Sequence, residues 1–442
     1  MSQDQWCPVT LDDLIEVHDS RRVPLSGAQR ASMQGAFRYY GASGVIDYID
    51  KFIFDGRYLL IAEDGENLNS RKLPVAFIAE GQFWVNNHAH IVTAKDGKSS
   101  IEFLKHWFAG SSIAGYITGA AQPKLSQKNL KKIAFQCPDY DAQQKIAAIL
   151  TAYDDLIENN RQRIALLEKM AEEIYREWFV RLRFPGHEHT PVHKGVPEGW
   201  ELRRLDSFGK VVTGKTPPTS NPRNYGGTIP FVKTPDMHGN TFVYETEETL
   251  TEDGLNSQPA QILPANALCV SCIGTGGVVS ITTSRCSTNQ QINSICLKDE
   301  LDLEWMFFTL RSLKSTILAY GATGATMTNL SKGKFSGLKP PVPPADLRRQ
   351  FHDLVEPKFT QSKLLVQANR HLTQTRDLLL NRLISGKLRV DDLDRHALVR
   401  GEGKIGQAAL RLCAPIGVGR DFDGADGIGF GARLGHGLSL SG

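Results

Sequence analysis

Moved back by 205 positions, the second half of this chain falls on the first without gaps. Gly119-Ala120 meets Gly324-Ala325, Leu125-Ser126 meets Leu330-Ser331, Ile133 meets Leu338 and Pro138 meets Pro343. Ile146 then falls on Phe351 and Leu150 on Val355. A looser match at an offset of 194 pairs Trp6 with Trp200, Leu11 with Leu205 and Val17 with Val211. Unequal loops account for the two offsets. The chain therefore reads as two copies of one unit, each opening on a Trp and short apolar strands and closing on Leu-Ser, a Pro-marked turn and a helix. With 442 residues, 41% of them hydrophobic, each copy has enough apolar material for its own core.

The closing helices carry the clearest periodicity. From Gln143 to Arg183 there is neither Gly nor Pro, and apolar residues recur at alternating spacings of four and three. The stripe reads Ile146, Leu150, Tyr153, Ile157, Asn160, Ile164, Leu167, Ala171, Ile174, Trp178, a heptad seam that implies a coiled-coil partner. Asn160 lies in that seam, where a polar residue fixes register at some cost in stability. Seven basic and seven acidic residues cancel along this helix, which fits a scaffold and not a basic DNA-reading helix. A matching stripe, Phe351, Val355, Leu365, Leu372, Leu379 and Leu383, predicts a second helix over about 347–388, with a kink or a late start at Pro357. An antiparallel pair of these two helices would hold the two preceding regions at opposite ends of a rod, while pairing with another subunit stays open at this stage.

These boundaries divide the chain into a first unit at 1–142, a first long helix at 143–184, a linker at 185–199, a second unit at 200–344 and a second long helix at 345–390. A tail at 391–442, rich in Gly from Gly401 onward, is expected to be disordered. The expected class is α+β: two units of mixed structure with twisted, mostly antiparallel sheets, related by a pseudo-two-fold repeat. The linker holds His187, His189 and His193 but no Cys or carboxylate at ligand spacing, so no metal is expected there.

Composition excludes several classes. No stretch approaches the roughly 18 apolar residues of a membrane span, and the start, MSQDQWCPVTLDDL, lacks a secretory layout. Seven cysteines, an odd and scattered number, form no disulfide framework, which points to a reducing cytoplasm. A formal net charge of +3 neither announces nor excludes a nucleic-acid partner. Gly209 to Thr216 matches the phosphate-loop pattern letter for letter, yet polar residues precede it and Pro217-Pro218 follow, where the mechanism needs a buried strand and a helix N-terminus. Cys269 and Cys272 stand three apart in a strand-like run, so their side chains point to opposite faces and cannot share an ion. No methyltransferase motif or catalytic constellation emerges, and an enzyme is not expected.

Other segments interleave aromatic, amide and basic residues between turns. Ala36 to Tyr48 and Trp84 to His90 do so in the first half; Ile229 to Asp236, Gly274 to Gly277 and Thr288 to Asn293 do so in the second. Asn and Gln can pair bidentately with adenine, and Lys and Arg with guanine. The same residues can equally build turns in a twisted sheet.

Taken in order, these motifs resemble the specificity subunit of type I restriction–modification systems over about residues 6–390. The resemblance rests on Tyr40-Gly41 through Tyr48, Phe54-Asp55-Gly56, Phe83 through His88, Gln122 through Ser126, Thr213 through Pro217, Tyr225-Gly226-Gly227, Ile229-Pro230-Phe231, Val270 through Gly274, Thr288 through Asn293, and Leu383 through Leu388. Two departures stand out: Gln143 replaces a usual acidic residue, and the Gly-rich tail is foreign to the pattern. The resemblance implies a non-catalytic subunit that reads the two halves of a split double-stranded DNA site, with the coil setting their spacing. It places DNA contacts at Arg38, Tyr40, Ser43, Asn86, Asn87, His88 and Lys124 in the first half. In the second half it places them at Lys215, Thr216, Lys233, Thr234, Asn289, Gln290, Gln291 and Lys332. It also implies two methyltransferase subunits and restriction/translocase subunits as partners, with S-adenosylmethionine, ATP and Mg2+ on those partners and no cofactor in this chain. The rival function is a two-headed protein-interaction scaffold without DNA binding.

Overall fold

The computed structural model describes residues 6–119, 121–322 and 328–390. The Gly119-Ala120 and Gly324-Ala325 match falls partly outside these residues, and the 391–442 tail lies outside them.

In the first half, strands β1 (Cys7–Thr10) and β8 (Ala134–Cys137) pair as a short antiparallel ribbon. Between them in the chain come β2 (Ile15–Val17), β3 (Gln34–Gly41), β4 (Gly44–Ile49), β5 (Phe54–Ala62), β6 (Ala76–Val85) and β7 (Ala89–Ala94), which form one sheet in the order β2-β7-β5-β6-β3-β4. Gly56 and Gly81 face each other across β5 and β6 at φ +124° and +82°. Side chains rarely adopt that conformation, so the glycines let both strands coil sharply. Alternation decides the two faces. Leu59, Ile61 and Val92 pack on the Ile101–Gly110 helix and the start of the first long helix, whereas Leu60, Phe54, Phe83 and Ile91 build an aromatic layer behind.

A small hairpin in the linker, β9 (Val192–His193) with β10 (Val196–Pro197), leads to the second half. There β11 (Glu201–Leu202) pairs with the last strand, Pro341–Val342, as β1 pairs with β8. The remaining strands are β12 (Gly209–Thr213), β13 (Tyr225–Val232), β14 (Phe242–Val243), β15 (Thr249–Leu250), β16 (Leu268–Ser271), β17 (Ile273–Gly274), β18 (Val279–Thr282), β19 (Ser287–Thr288), β20 (Ile292–Leu297) and β21 (Thr328–Asn329). Their main sheet runs β12-β20-β16-β18-β14. Position by position this repeats β2-β7-β5-β6-β3: three antiparallel contacts followed by a parallel one. Hydrogen bonds recur as well. The Leu11 amide donates to the Ile133 carbonyl at 2.8 Å and the Leu205 amide to the Leu338 carbonyl at 3.0 Å, joining the residues that the two sequence offsets align.

The first long helix spans Tyr140–Tyr175, about 54 Å, and begins three residues before the expected start. Asp139 caps it by accepting from the Ala142 amide, and a π-helical turn, Arg176–Val180, replaces α-helix at its end. The second spans Ala345–Ile384 without a break, so the late start expected at Pro357 does not occur. Pro357 and Asp353, whose carbonyl loses its donor, are both exposed, and water can satisfy that carbonyl. The two helices pair antiparallel within the chain. Asp154 meets Arg376 at 2.8 Å, Asn160 donates to Asn369 at 2.9 Å, and Tyr175 packs on Phe351. Asn369 also donates to the Ile157 carbonyl, so the seam Asn finds a polar partner in its own chain. Ile146, Leu150, Leu379 and Leu383 join the first core, Tyr153, Ile157 and Leu372 form the middle, and Ile174, Trp178, Phe351 and Val355 join the second core. Ile164, Leu167 and Leu365 are only half-buried at mid-rod.

The buried Gln143 stands at the first turn of its helix. It accepts from the Ser99 hydroxyl and donates to the Lys98 and Pro138 carbonyls. Its counterpart at an offset of 205, Arg348, pairs with Asp302 ahead of the Leu303–Ser312 helix. Different side chains thus do the same docking in the two halves. Trp6 and Trp200 are equivalent too: Trp6 lies against Gly386 at the end of the second long helix, and Trp200 against Phe179 and Phe184 at the end of the first.

Candidate nucleic-acid interface

In the first half the sheet gathers most of the expected residues at one place. The Asn86 amide donates to the Tyr40 carbonyl at 3.0 Å, and the Glu63 amide to the His88 carbonyl at 2.9 Å. The Leu125 amide donates to the Glu63 carbonyl at 2.7 Å. These bonds bring the Asn86–His88 turn, the end of β3, the end of β5 and the Lys124 loop together. A Cβ on Gly41 would lie 3.6 Å from the Asn86 amide nitrogen, so the β3–β4 hairpin tip carrying Ser43 is adjacent. Asn87, His88, Lys124 and Arg38 are exposed. Tyr40 and Asn86 are buried: Tyr40 packs on Phe77 and Phe83, and Asn86 folds its carbonyl onto the His88 amide at 2.8 Å. These two shape the turn and do not face outward. Arg38 hydrogen-bonds the Tyr40 phenol, which holds its guanidinium pKa above the usual value. Ile46 and Tyr48, beside the hairpin tip, are 54% and 51% exposed; the sequence motif contains them, but neither was among the expected contacts.

The second half repeats this geometry at the Asn289–Gln291 turn. The Asn289 amide donates to the Val232 carbonyl, Asn289 accepts from the Gln291 amide at 3.1 Å, and the Cys272 amide donates to the Gln291 carbonyl at 2.7 Å. Asn86-Asn87-His88 and Asn289-Gln290-Gln291 are therefore equivalent turns at an offset of 203, a match that neither sequence offset found. Gln290 is exposed and accepts from the Thr216 hydroxyl at 2.7 Å. Thr216, Lys233 and Asn289 line a cleft of about 620 Å3 together with Thr219, Tyr225, Glu247 and Glu248. Lys233 pairs with Glu248 at 2.7 Å. Thr234, like Asn289, is buried. Lys215 is exposed next to this cleft. Lys332 stands apart on the first turn of a short helix, the counterpart of Gln127 and not of Lys124.

The phosphate-loop string takes a different conformation. Gly209–Thr213 is a ladder strand, and the next two amides are consumed: Gly214 donates to Ile292 at 3.0 Å and Lys215 to Thr288 at 2.9 Å. A Cβ on Gly214 would lie 2.1 Å from the Asn289 carbonyl oxygen, so the glycine serves close strand approach. No helix opens at Lys215-Thr216, and the amides a phosphate would need are already bonded. Cys269 and Cys272 lie in separate cores on opposite sides of the sheet, as their spacing predicts. Burial pushes their thiols up to about 12 and about 11.

One acidic cluster escaped the sequence reading. Ligand atoms of Asp19, Glu63 and His90 lie within 4.8 Å of one another, a spacing that could hold a metal. The donor set does not fit a cation. Arg22 already sits 2.6 Å from Glu63 and 3.5 Å from Asp19, and Lys124 is 3.3 Å from Glu63. Burial alone would raise the Asp19 carboxyl, but the hydrogen bond to His90, the Ile91 amide and Arg22 outweigh it and hold the pKa below the usual range.

The fold and these two turns define a class: two repeated α+β units that carry equivalent turns and are joined by an antiparallel coiled coil. The profile of the type I restriction modification DNA specificity domain matches residues 3–169 and 197–350. The chain is 30% identical over 402 residues to the type I restriction enzyme HindI specificity subunit of Haemophilus influenzae, covering 76% of this chain and 84% of that relative. It is 27% identical to the MjaIX specificity subunit of Methanocaldococcus jannaschii, covering 76% and 80%. The crystal structure of a type I restriction-modification S subunit from M. genitalium shares the fold, with a TM-score of 0.60 at 14% identity over 87% of this chain and 97% of that one. The chain belongs to the type I restriction–modification specificity subunits: it serves DNA specificity and is not itself catalytic. Among the described residues no helix is long and apolar enough to cross a membrane.

Proposed function

We propose that this subunit reads a split DNA site, with each turn and its neighbours contacting one half and the helix pair setting the spacer. The observation that carries this reading is the equivalence of the Asn86–His88 and Asn289–Gln291 turns, held by the same backbone bonds in the two halves. Exposed Asn87, His88 and Arg38 with half-buried Ser43 read or position one half-site, and Gln290, Gln291, Thr216, Lys215 and Lys233 the other, while Lys124 and Lys332 contact phosphates. The buried Tyr40, Asn86, Thr234 and Asn289 hold the contact surfaces in place. The units extend over 1–142 and 200–344, joined through helices at 143–184 and 345–390 and the 185–199 linker.

The rod also offers a docking surface. Leu166, Met170, Leu364 and Leu378 are 46–69% exposed on the long helices, an unusual amount of large apolar surface for a soluble helix pair. Two methyltransferase subunits dock there, and restriction/translocase subunits complete the cytoplasmic complex. Those partners carry S-adenosylmethionine, ATP and Mg2+, and the methyltransferase flips the target adenine.

The test is single-molecule mapping of N6-methyladenine after co-expression with the methyltransferase subunit in a methylation-free host. A single motif of two short half-sites around a fixed spacer supports the proposal. An assembled complex that adds no methylation, and whose duplex binding does not fall with salt as phosphate contacts require, returns the chain to a protein-binding scaffold.

A further inference from the structure

His90 and Asn293 occupy the same position in the two halves. His90 stands opposite Ile61 across β7 and β5, and Asn293 opposite Val270 across β20 and β16. Each is buried, at 1% and 3% exposure, and each bridges the same two elements. The His90 ring meets Asp19 through Nδ1 at 2.6 Å and the Leu125 carbonyl through Nε2 at 2.7 Å. Asn293 accepts from the Thr213 hydroxyl at 2.6 Å and donates to the Leu330 carbonyl at 3.3 Å. Leu125 and Leu330 are the Leu of the repeated Leu-Ser pair, and their amides in turn donate to Glu63 and Cys272, the residues bonded to the reading turns. Each bridge thus closes a ring that runs from the reading turn through the end of the neighbouring strand to the Leu-Ser strap and back. Asp19–His90 is an acid with an imidazole, and Thr213–Asn293 a hydroxyl with an amide. One geometry from two chemistries means that what the position requires is the bridge itself. The second half shows that neither a charge nor a metal ligand is needed there.

We propose that His90 and Asn293 are positioning residues for recognition, each locking the reading turn of its own half to the Leu-Ser strap without touching DNA. A buried polar bridge with one partner removed leaves the others unsatisfied, so the turn loses its fixed pose while the sheet behind it stays paired. The inference rests on these turns being the DNA readers, and the test separates the two claims.

The methylated motif is mapped for the full chain co-expressed with its methyltransferase subunit, with Asn87→Ala and Gln290→Ala assigning each half-site to its half of the chain. Failure of the wild-type chain to give a split motif would sink the reading of the turns. With a split motif in hand, His90→Ala should relax selectivity at the first half-site by on the order of tenfold, the worth of one well-placed base contact, and spare the second; Asn293→Ala should do the reverse. The double change Asp19→Thr with His90→Asn installs the second half's bridge in the first and should restore the wild-type motif, which a merely space-filling role would not achieve. Unchanged selectivity in His90→Ala, equal loss at both half-sites, or a folded double variant that behaves like His90→Ala would each overturn the proposal. Should His90→Ala fail to assemble, the Asn293→Ala arm and the double variant decide it alone.

Discussion

If the helix pair is the ruler, lengthening it must lengthen the spacer by a calculable amount. The antiparallel seam dictates how: an insertion in one helix alone could not keep both the Asn160–Asn369 pair and the Tyr175–Phe351 contact in register. Seven residues are therefore added to both helices, after Ile164 and after Leu364, where the rod is only half-buried. Seven residues advance a helix by about 10.5 Å and return its face to within roughly 20°. The contacts of Ile146–Ile157 with Leu372–Leu383 and of Tyr175 with Phe351 are then preserved. With about 3.4 Å per base pair, the preferred spacer should grow by about three base pairs with both half-sites unchanged. Three base pairs also turn the duplex by roughly 100°, since a full turn takes 10–10.5 base pairs. Part of that rotation must be absorbed by twisting, so affinity should fall even as the preferred spacer moves. The assay is competitive binding against duplexes that carry the mapped half-sites at a series of spacers. An unchanged optimum in a folded double-insertion variant would refute the rod as ruler.

Three other predictions follow from particular contacts. Asn87→Ala should weaken selectivity at one half-site and Gln290→Ala at the other, by roughly 1–3 kcal/mol each in methylation mapping, whereas loss at both half-sites from either change would contradict separate readers. Burial, helped by Lys105, pushes His106 down to about 4, and its ring meets the Thr151 hydroxyl at 3.1 Å. Its folded value lies below the unfolded 6.5, so stability present at neutral pH is lost as pH falls from about 6.5 towards 4, about 2 kcal/mol by pH 5. Thermal melts at pH 7 and pH 5 should show a smaller acid loss for His106→Gln than for the wild type, and an equal loss would rule this residue out as the cause. Cys269, Cys272 and Cys286, all buried with raised pKa values, should resist a thiol reagent in the native state that labels exposed Cys7; labelling of all at one rate would show that the cores on both faces of the second sheet open.

The elements most legible in the sequence are those whose signal is local. A run free of Gly and Pro with a heptad seam is a long helix wherever it sits, and the helices Tyr140–Tyr175 and Ala345–Ile384 carry the two seams. The repeat was visible because Leu-Ser, Pro and Trp mark the ends of each unit, where turns and caps constrain residue type. The Asn86–His88 and Asn289–Gln291 turns were found as segments but not as equivalents, because β-strand pairing joins residues that no fixed offset aligns. The loops between the strands differ in length, so the offset drifts from 194 to 209 between the start of a unit and its middle.

By itself the sequence determined that two units recur and that each ends in a coiled-coil helix. Only the tertiary structure decided which helix is the partner, since a seam specifies an apolar face but not who covers it. It decided that Pro357 is tolerated, because Pro357 and Asp353, whose carbonyl loses its donor, both stand on the exposed side of the helix. It also decided that Tyr40, Asn86, Thr234 and Asn289 point inward, and that the phosphate-loop amides belong to a strand ladder. Burial and hydrogen-bond partners are properties of distant neighbours, and Asp19 with His90 or Thr213 with Asn293 become a bridge only when strands from far along the chain are laid side by side.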